Sequence, residues 1–179
     1  MLADRLILDV PLLTIVLVAA WTDVRDGKVY NRLTYPAIVL GLLLNALVRP
    51  PGMGLGPAAL GFLVGFVPLF LAYAAGGLGG GDVKLAGAVG AFLGPLLTAY
   101  AMLYSFLAGA VLCLLLILYR EGLGGLFHRV RNLRSGEGGE GHVSIRFPFA
   151  VAILIGVAWA ITEQHLGGSL LDVLRERRF

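Results

Sequence analysis

Gly79-Gly80-Gly81-Asp82-Val83-Lys84-Leu85-Ala86-Gly87-Ala88-Val89-Gly90-Ala91-Phe92-Leu93-Gly94-Pro95 holds the key to the architecture of this chain. Its apolar part begins at Val83 and meets Gly94-Pro95 about a dozen residues later, or ~18 Å at 1.5 Å per residue. A bilayer crossing needs ~20 residues. Either the helix continues through a kink at Pro95, or it begins below the membrane surface and carries Gly79 to Asp82 within the boundary, or the segment is re-entrant.

The setting is a membrane, because 58% hydrophobic and 14% charged residues with a mean hydropathy of +0.87 lie far from soluble domains. The 179 residues hold about six helices of ~20 residues and short loops, which predicts a single domain over 1–179. The fold class expected is all-α: a polytopic membrane helix bundle. Leu6–Trp21 is the first apolar run, and Asp4, Arg5 and Asp9 around its start argue for a span rather than a cleaved signal. Tyr35–Val48, lengthened by the turn from Val29, is the second and ends at the breaker Arg49-Pro50-Pro51-Gly52. Pro57 to about Ala75 is the third, with Gly61 and Gly65 in a G-x-x-x-G spacing that allows close helix approach. Leu96–Tyr119 is the fifth and Phe147 to about Ile161 the sixth.

Charge chooses among the readings of the fourth segment. Arg120, Arg129, Arg131, Arg134 and Arg146 share one long connection, and Arg25, Lys28 and Arg32 share another, so the positive-inside rule puts both in the cytoplasm. Six crossings with the amino terminus outside satisfy both, and a re-entrant fourth segment does not. The fourth segment is therefore read as a true crossing. Arg175, Arg177 and Arg178 then fall outside, and the spacing of Leu166, Leu170, Val173 and Leu174 makes 167–179 an amphipathic interfacial tail. Within the 120–146 connection, Leu123, Leu126, Phe127, Val130 and Leu133 form an apolar stripe of a helix lying on the membrane, followed by a Gly/Glu linker at Glu137–Gly141.

Two aspartates stand out. Asp23 and Asp82 are separated by two spans and so return to the same, cytoplasmic side. Carboxylates at a membrane boundary are expensive and mark acid/base chemistry. Taken singly, Asp82 reads equally well as a cap of the fourth helix, and Asp23 as a surface carboxylate paired with Arg25. Ala86, Gly90 and Gly94, with Gly87 and Ala91, give the fourth helix small faces on which neighbours pack closely enough to bring the two together.

Asp23-Val24-Arg25-Asp26-Gly27-Lys28-Val29-Tyr30-Asn31 and Gly79-Gly80-Gly81-Asp82-Val83-Lys84-Leu85 together resemble the type IV prepilin peptidases of the wider G-x-G-D group of membrane aspartic proteases. The second matches the family's G-x-G-D-x-K-L pattern; in the first, Tyr30 stands where the family has proline. The resemblance covers the six-span layout. It implies an aspartic endopeptidase of the cytoplasmic membrane that removes the short basic leader of pilin-like or flagellin-like precursors, with Asp23 and Asp82 catalytic. Gly79, Gly80, Gly81, Lys84 and Asn31 would support the site or bind substrate. The paired C-x-x-C cysteines of larger family members are not found, so the likeness is to the compact peptidase-only kind, without a methyltransferase module, of tight-adherence and archaeal systems.

Physically, two nearby carboxyl groups cannot both ionise cheaply; one keeps its proton and the pair can serve as base and acid. The glycines admit an extended substrate backbone and tolerate angles that side chains forbid. Lys84 reads first as a lipid anchor and Asn31 as a cap of the second helix. No metal or cofactor is expected: His128, His142 and His165 lack ligand spacing, and Cys113 is a lone packing residue. The basic residues form no stripe for nucleic acid, leaving the bilayer and a precursor protein as partners, with the oligomeric state open. The rival readings are a G-x-G-D protease of other helical substrates, a proton-coupled transporter, which would place its carboxylates at the midplane, and a scaffold, which leaves both motifs unexplained.

Overall fold

Every apolar run becomes helix in the computed structural model, which describes residues 2–48, 54–135 and 148–166. The elements are α1 (Leu2–Asp26), α2 (Asn31–Val48), α3 (Leu55–Ala74), α4 (Gly80–Leu93), α5 (Pro95–Ser135) and α6 (Phe149–Leu166). Among the described residues there is no strand. Among the described residues four helices are long and apolar enough to cross a membrane, at Arg5–Asp26, Asn31–Val48, Leu55–Ala74 and Pro95–Leu116; Phe149–His165 is a shorter apolar helix. Large apolar side chains on their outer faces, such as Leu17, Leu47, Leu71 and Leu96, are exposed, as a lipid-facing surface requires.

The outlier is α4. At 14 residues, it is the short helix expected, about 21 Å long. It does not continue through Pro95: it stops at Leu93, Gly94 turns the chain at φ 75°, and Pro95 opens α5, whose fixed φ suits a first helical turn. Residues Leu85 to Leu93 are all buried, and α4 touches each of the other five helices. It is the core of the bundle.

Small residues make that enclosure possible. A Cβ on Gly61 would collide with the Gly90 carbonyl oxygen, one on Gly90 with that of Gly61, and one on Gly65 with that of Ala86. The G-x-x-x-G pair of α3 thus lies backbone against backbone on the small face of α4, as its spacing predicts. Gly156 does the same for α6 against Ala101 and Ser105 of α5.

A helix that ends inside the bundle leaves its last carbonyls without partners, which is costly away from water. Asn45 of α2, 1% exposed, supplies them: its Nδ2 donates to the carbonyls of Ala91 at 2.8 Å and Phe92 at 3.1 Å. Thr98 Oγ1 donates to the Gly94 carbonyl at 2.5 Å.

Boundaries shift in three places. Helix α1 runs on to Asp26, so Asp23 sits inside its last turns rather than beyond them. Helix α6 starts at Phe149 rather than Phe147. The 120–135 part of the polar connection is helical but is no separate element; it prolongs α5 to 41 residues without a break. The breaker at 49–52, the linker Glu137–Gly141 and the tail 167–179 lie outside the described residues.

Candidate active site

Both sequence motifs arrive at one end of the bundle because α1 and α4 meet there in opposite senses, α1 ending and α4 beginning. Gly27, at φ 65°, closes α1 by donating its N–H to the Asp23 carbonyl at 2.9 Å. A three-residue turn follows, and the Tyr30 carbonyl accepts the N–H groups of Leu33 and Thr34 to start α2. The proline that the resemblance leads one to expect at position 30 is not needed for that turn. Tyr30 adds a hydroxyl that donates to Asp26 Oδ2 at 3.1 Å.

This turn packs on the start of α4. A Cβ on Gly81 would stand 2.7 Å from the Val29 carbonyl oxygen and 2.9 Å from the Val29 Cβ, so only glycine lets the two motifs close on each other. A Cβ on Gly79 would come 3.1 Å from Asp82 Oδ2, whereas one on Gly80 would make ordinary contact with the Tyr73 ring. The need for glycine is therefore mainly steric. None of the three adopts the positive φ seen at Gly27, Gly76 and Gly94, which corrects the expectation that backbone angle demands them.

A cavity of about 440 Å³ results, lined by Asp23, Asn31, Gly79, Gly80, Gly81, Asp82 and Lys84 together with residues 27–30. All seven residues singled out in the sequence meet there. Lys84 Nζ donates to Asn31 Oδ1 at 2.7 Å and sits 4.9 Å from the centre of the Tyr35 ring. The pair ties α2 to α4 across the cavity wall. Asn31 thus opens α2, but its side-chain oxygen serves Lys84 rather than the helix cap, and Lys84 faces the cavity rather than standing free as a lipid anchor.

The two carboxyl groups have contrasting surroundings. Asp23 Oδ2 accepts the backbone N–H of Ala150 at 3.0 Å, in the first turn of α6. Pro148, which precedes that helix, has no side-chain acceptor, so α1 lends one to an otherwise orphaned N–H. Arg25 turns to Asp26, 3.8 Å away, and not to Asp23. Asp82 lies outside the four long apolar helices, and its side chain does not cap α4: the N-cap is Gly79, with no side-chain cap hydrogen bond. Asp82 Oδ1 is buried with no partner. Burial pushes the Asp82 carboxyl up to about 7, the Asp23 charge adds to the rise, and a Gly79 backbone hydrogen bond opposes it.

The family model described as type IV leader peptidase matches residues 10–114, more than half of the chain and both motifs. The chain belongs to the type IV leader peptidase family. Curated relatives include proteins named prepilin leader peptidase/N-methyltransferase from Aeromonas hydrophila and from Aeromonas salmonicida (strain A449), each 38% identical over 118 residues. The match takes in 62% of this chain and 40% of each relative, so the chain spans about two fifths of the length of the curated relatives it matches. No solved structure matches. The family match ends at 114, ahead of α6. The Ala150 N–H that holds Asp23 therefore comes from outside the matched region.

That contact was also the part of the site that sequence reasoning missed. A backbone N–H carries no residue-type signal, and Ala150 is far from Asp23 in the chain. The available hint was Pro148 before an apolar helix, an N-terminus with no cap of its own.

Proposed function

We propose that this membrane protein is an aspartic endopeptidase that removes the short basic leader of type IV pilin-like or flagellin-like precursors at the cytoplasmic face of the cell membrane. The observation that carries the reading is the sharing of one cavity by Asp23 and Asp82, each within its own motif. The relatives' name, prepilin leader peptidase/N-methyltransferase, supports the substrate class, and the peptidase part of that name agrees with the carboxylate pair.

Topology supports the side. Arg25, Lys28, Arg32 and Lys84 collect at the end of the bundle that holds the cavity, and a basic end faces the cytoplasm. A precursor whose leader stays inside and whose apolar helix lies in the bilayer would present its junction there.

The chemistry asks little more than the pair. A carboxylate takes a proton from water as its oxygen attacks the scissile carbonyl carbon; the protonated partner gives its proton to the carbonyl oxygen. Collapse of the resulting diol breaks the C–N bond, returns one hydroxyl proton to the acid and passes the base's proton to the leaving amine. Gly79, Gly80 and Gly81 leave room for an extended chain beside the carboxyls, and the Lys84–Asn31 tie holds the cavity wall.

The test is incubation of the purified protein in bilayer discs with precursors that carry a basic leader before an apolar helix, followed by mass spectrometry. Cleavage at the leader junction, absent with the apolar helix alone, is expected. Equal cleavage of helical substrates that lack a leader would assign the site to a general intramembrane protease instead.

A further inference from the structure

The two carboxyl groups are not interchangeable. Asp23 receives a hydrogen bond from the first turn of α6, where the helix dipole places partial positive charge. Such a contact favours a negative oxygen. Asp82 also has a backbone hydrogen bond, from Gly79, but its Oδ1 is buried and unpartnered, an environment that favours a neutral carboxyl with an O–H to give. The other titratable groups lining the cavity do not reverse the contrast: the Lys84 ammonium is held by Asn31 and Tyr35, and Tyr30 turns its hydroxyl to Asp26. Lys28 lines the same cavity and is exposed to water.

We infer that Asp23 enters the reaction ionised, as the base that activates water, and that Asp82 enters it protonated, as the acid at the carbonyl oxygen, with the Ala150 N–H of α6 as the positioning group that sets this order. The inference rests on the dyad reading above and deepens it. It also gives α6, outside the region that matches the family, a part in the chemistry. The raised Asp82 carboxyl agrees with the assignment.

Two reagents distinguish the roles in the unaltered protein. An epoxide is opened by a carboxylate nucleophile, whose oxygen bonds carbon as the ring C–O bond breaks and the new alkoxide takes a proton from water. A diazoacetamide must first take the acid's proton on its diazo carbon, after which the carboxylate displaces nitrogen. Treated in bilayer discs at one pH unit below about 7, where protonated Asp82 outnumbers ionised Asp82 about tenfold, the protein should carry the epoxide ester on Asp23 and the diazo ester on Asp82, read by peptide mapping. The reverse pattern, or no preference for either reagent, would overturn the assignment.

Infrared spectra decide where the cavity admits neither reagent. The carbonyl stretch of a protonated acid should vanish in Asp82→Asn and persist in Asp23→Asn; loss in Asp23→Asn, or survival in both variants, contradicts the inference. Neither readout depends on cleavage. A precursor assay that succeeds beside a failed mapping would therefore sink the assignment alone.

Discussion

The two ends of α4 solve opposite problems. At the carboxyl end, Asn45 serves the carbonyls of Ala91 and Phe92, and Thr98 serves that of Gly94, so a helix terminus buried in the bundle has its polar groups paired. At the amino end, Gly79 caps without a side chain and Asp82 Oδ1 is the buried side-chain oxygen without a partner among the described residues. One helix thus holds a satisfied end and an unsatisfied one in the same low-dielectric surroundings. A fold able to supply Asn45 to one end could supply a donor to the other; the missing partner at Asp82 is what the proposed chemistry would use.

Substitutions at each end sharpen the contrast. Gly81→Ala forces Val29 away from α4 and separates the two motifs; because misplacement near 1 Å costs about 10²-fold, cleavage should fall by about that factor while the helical circular dichroism is kept. Unchanged cleavage would mean the close approach does not set the site. Asn45→Leu strips the buried carbonyl end, at a cost of about 1–3 kcal/mol, read as a lower midpoint of unfolding in detergent with cleavage at low temperature retained. Loss of cleavage without loss of stability would show that the two ends are not separate in function.

The pH dependence probes the amino end alone. Asp82 is raised from 3.8 to about 7, so above about 7 the acid is progressively lost and cleavage should fall toward tenfold per pH unit. The stability sign follows from the same shift. Between 3.8 and about 7 the folded chain holds a proton that the unfolded chain has released, so stability declines as pH rises through that window and levels above it. Asp82→Asn should remove that slope. The smallest effect is expected from Lys84→Met, which breaks the tie to Asn31 and the contact with Tyr35; a loss of a few-fold in cleavage with little change in stability fits an exposed hydrogen bond. A loss as deep as that of a carboxylate would place Lys84 in the chemistry instead.

How far the sequence reaches follows the same division. The helices, the close packing of Gly61 and Gly65, and the convergence of Asp23 and Asp82 were legible because each is written in residue types at fixed spacing. The end of α4 was not: Pro95 permits both a kinked continuation and a fresh start, and Gly94 chooses between them only through its left-handed backbone. Asn45 was passed over because a single polar residue in an apolar run has no readable partner until the fold brings Ala91 beside it. Asn31 and Lys84 stand in the two motifs and line one cavity, yet their mutual hydrogen bond links α2 to α4 and no local pattern encodes it. The Ala150 contact is of the same kind, a backbone group whose role depends on what arrives opposite.

The carboxylate pair is tested most directly by comparing cleavage of a leader-bearing precursor by the parent, Asp23→Asn and Asp82→Asn in bilayer discs, with folding checked by circular dichroism. Each variant should lose at least about 10²-fold, the usual scale of a positioned acid or base, with its helices intact. Cleavage at the parent rate by either folded variant would contradict the dyad.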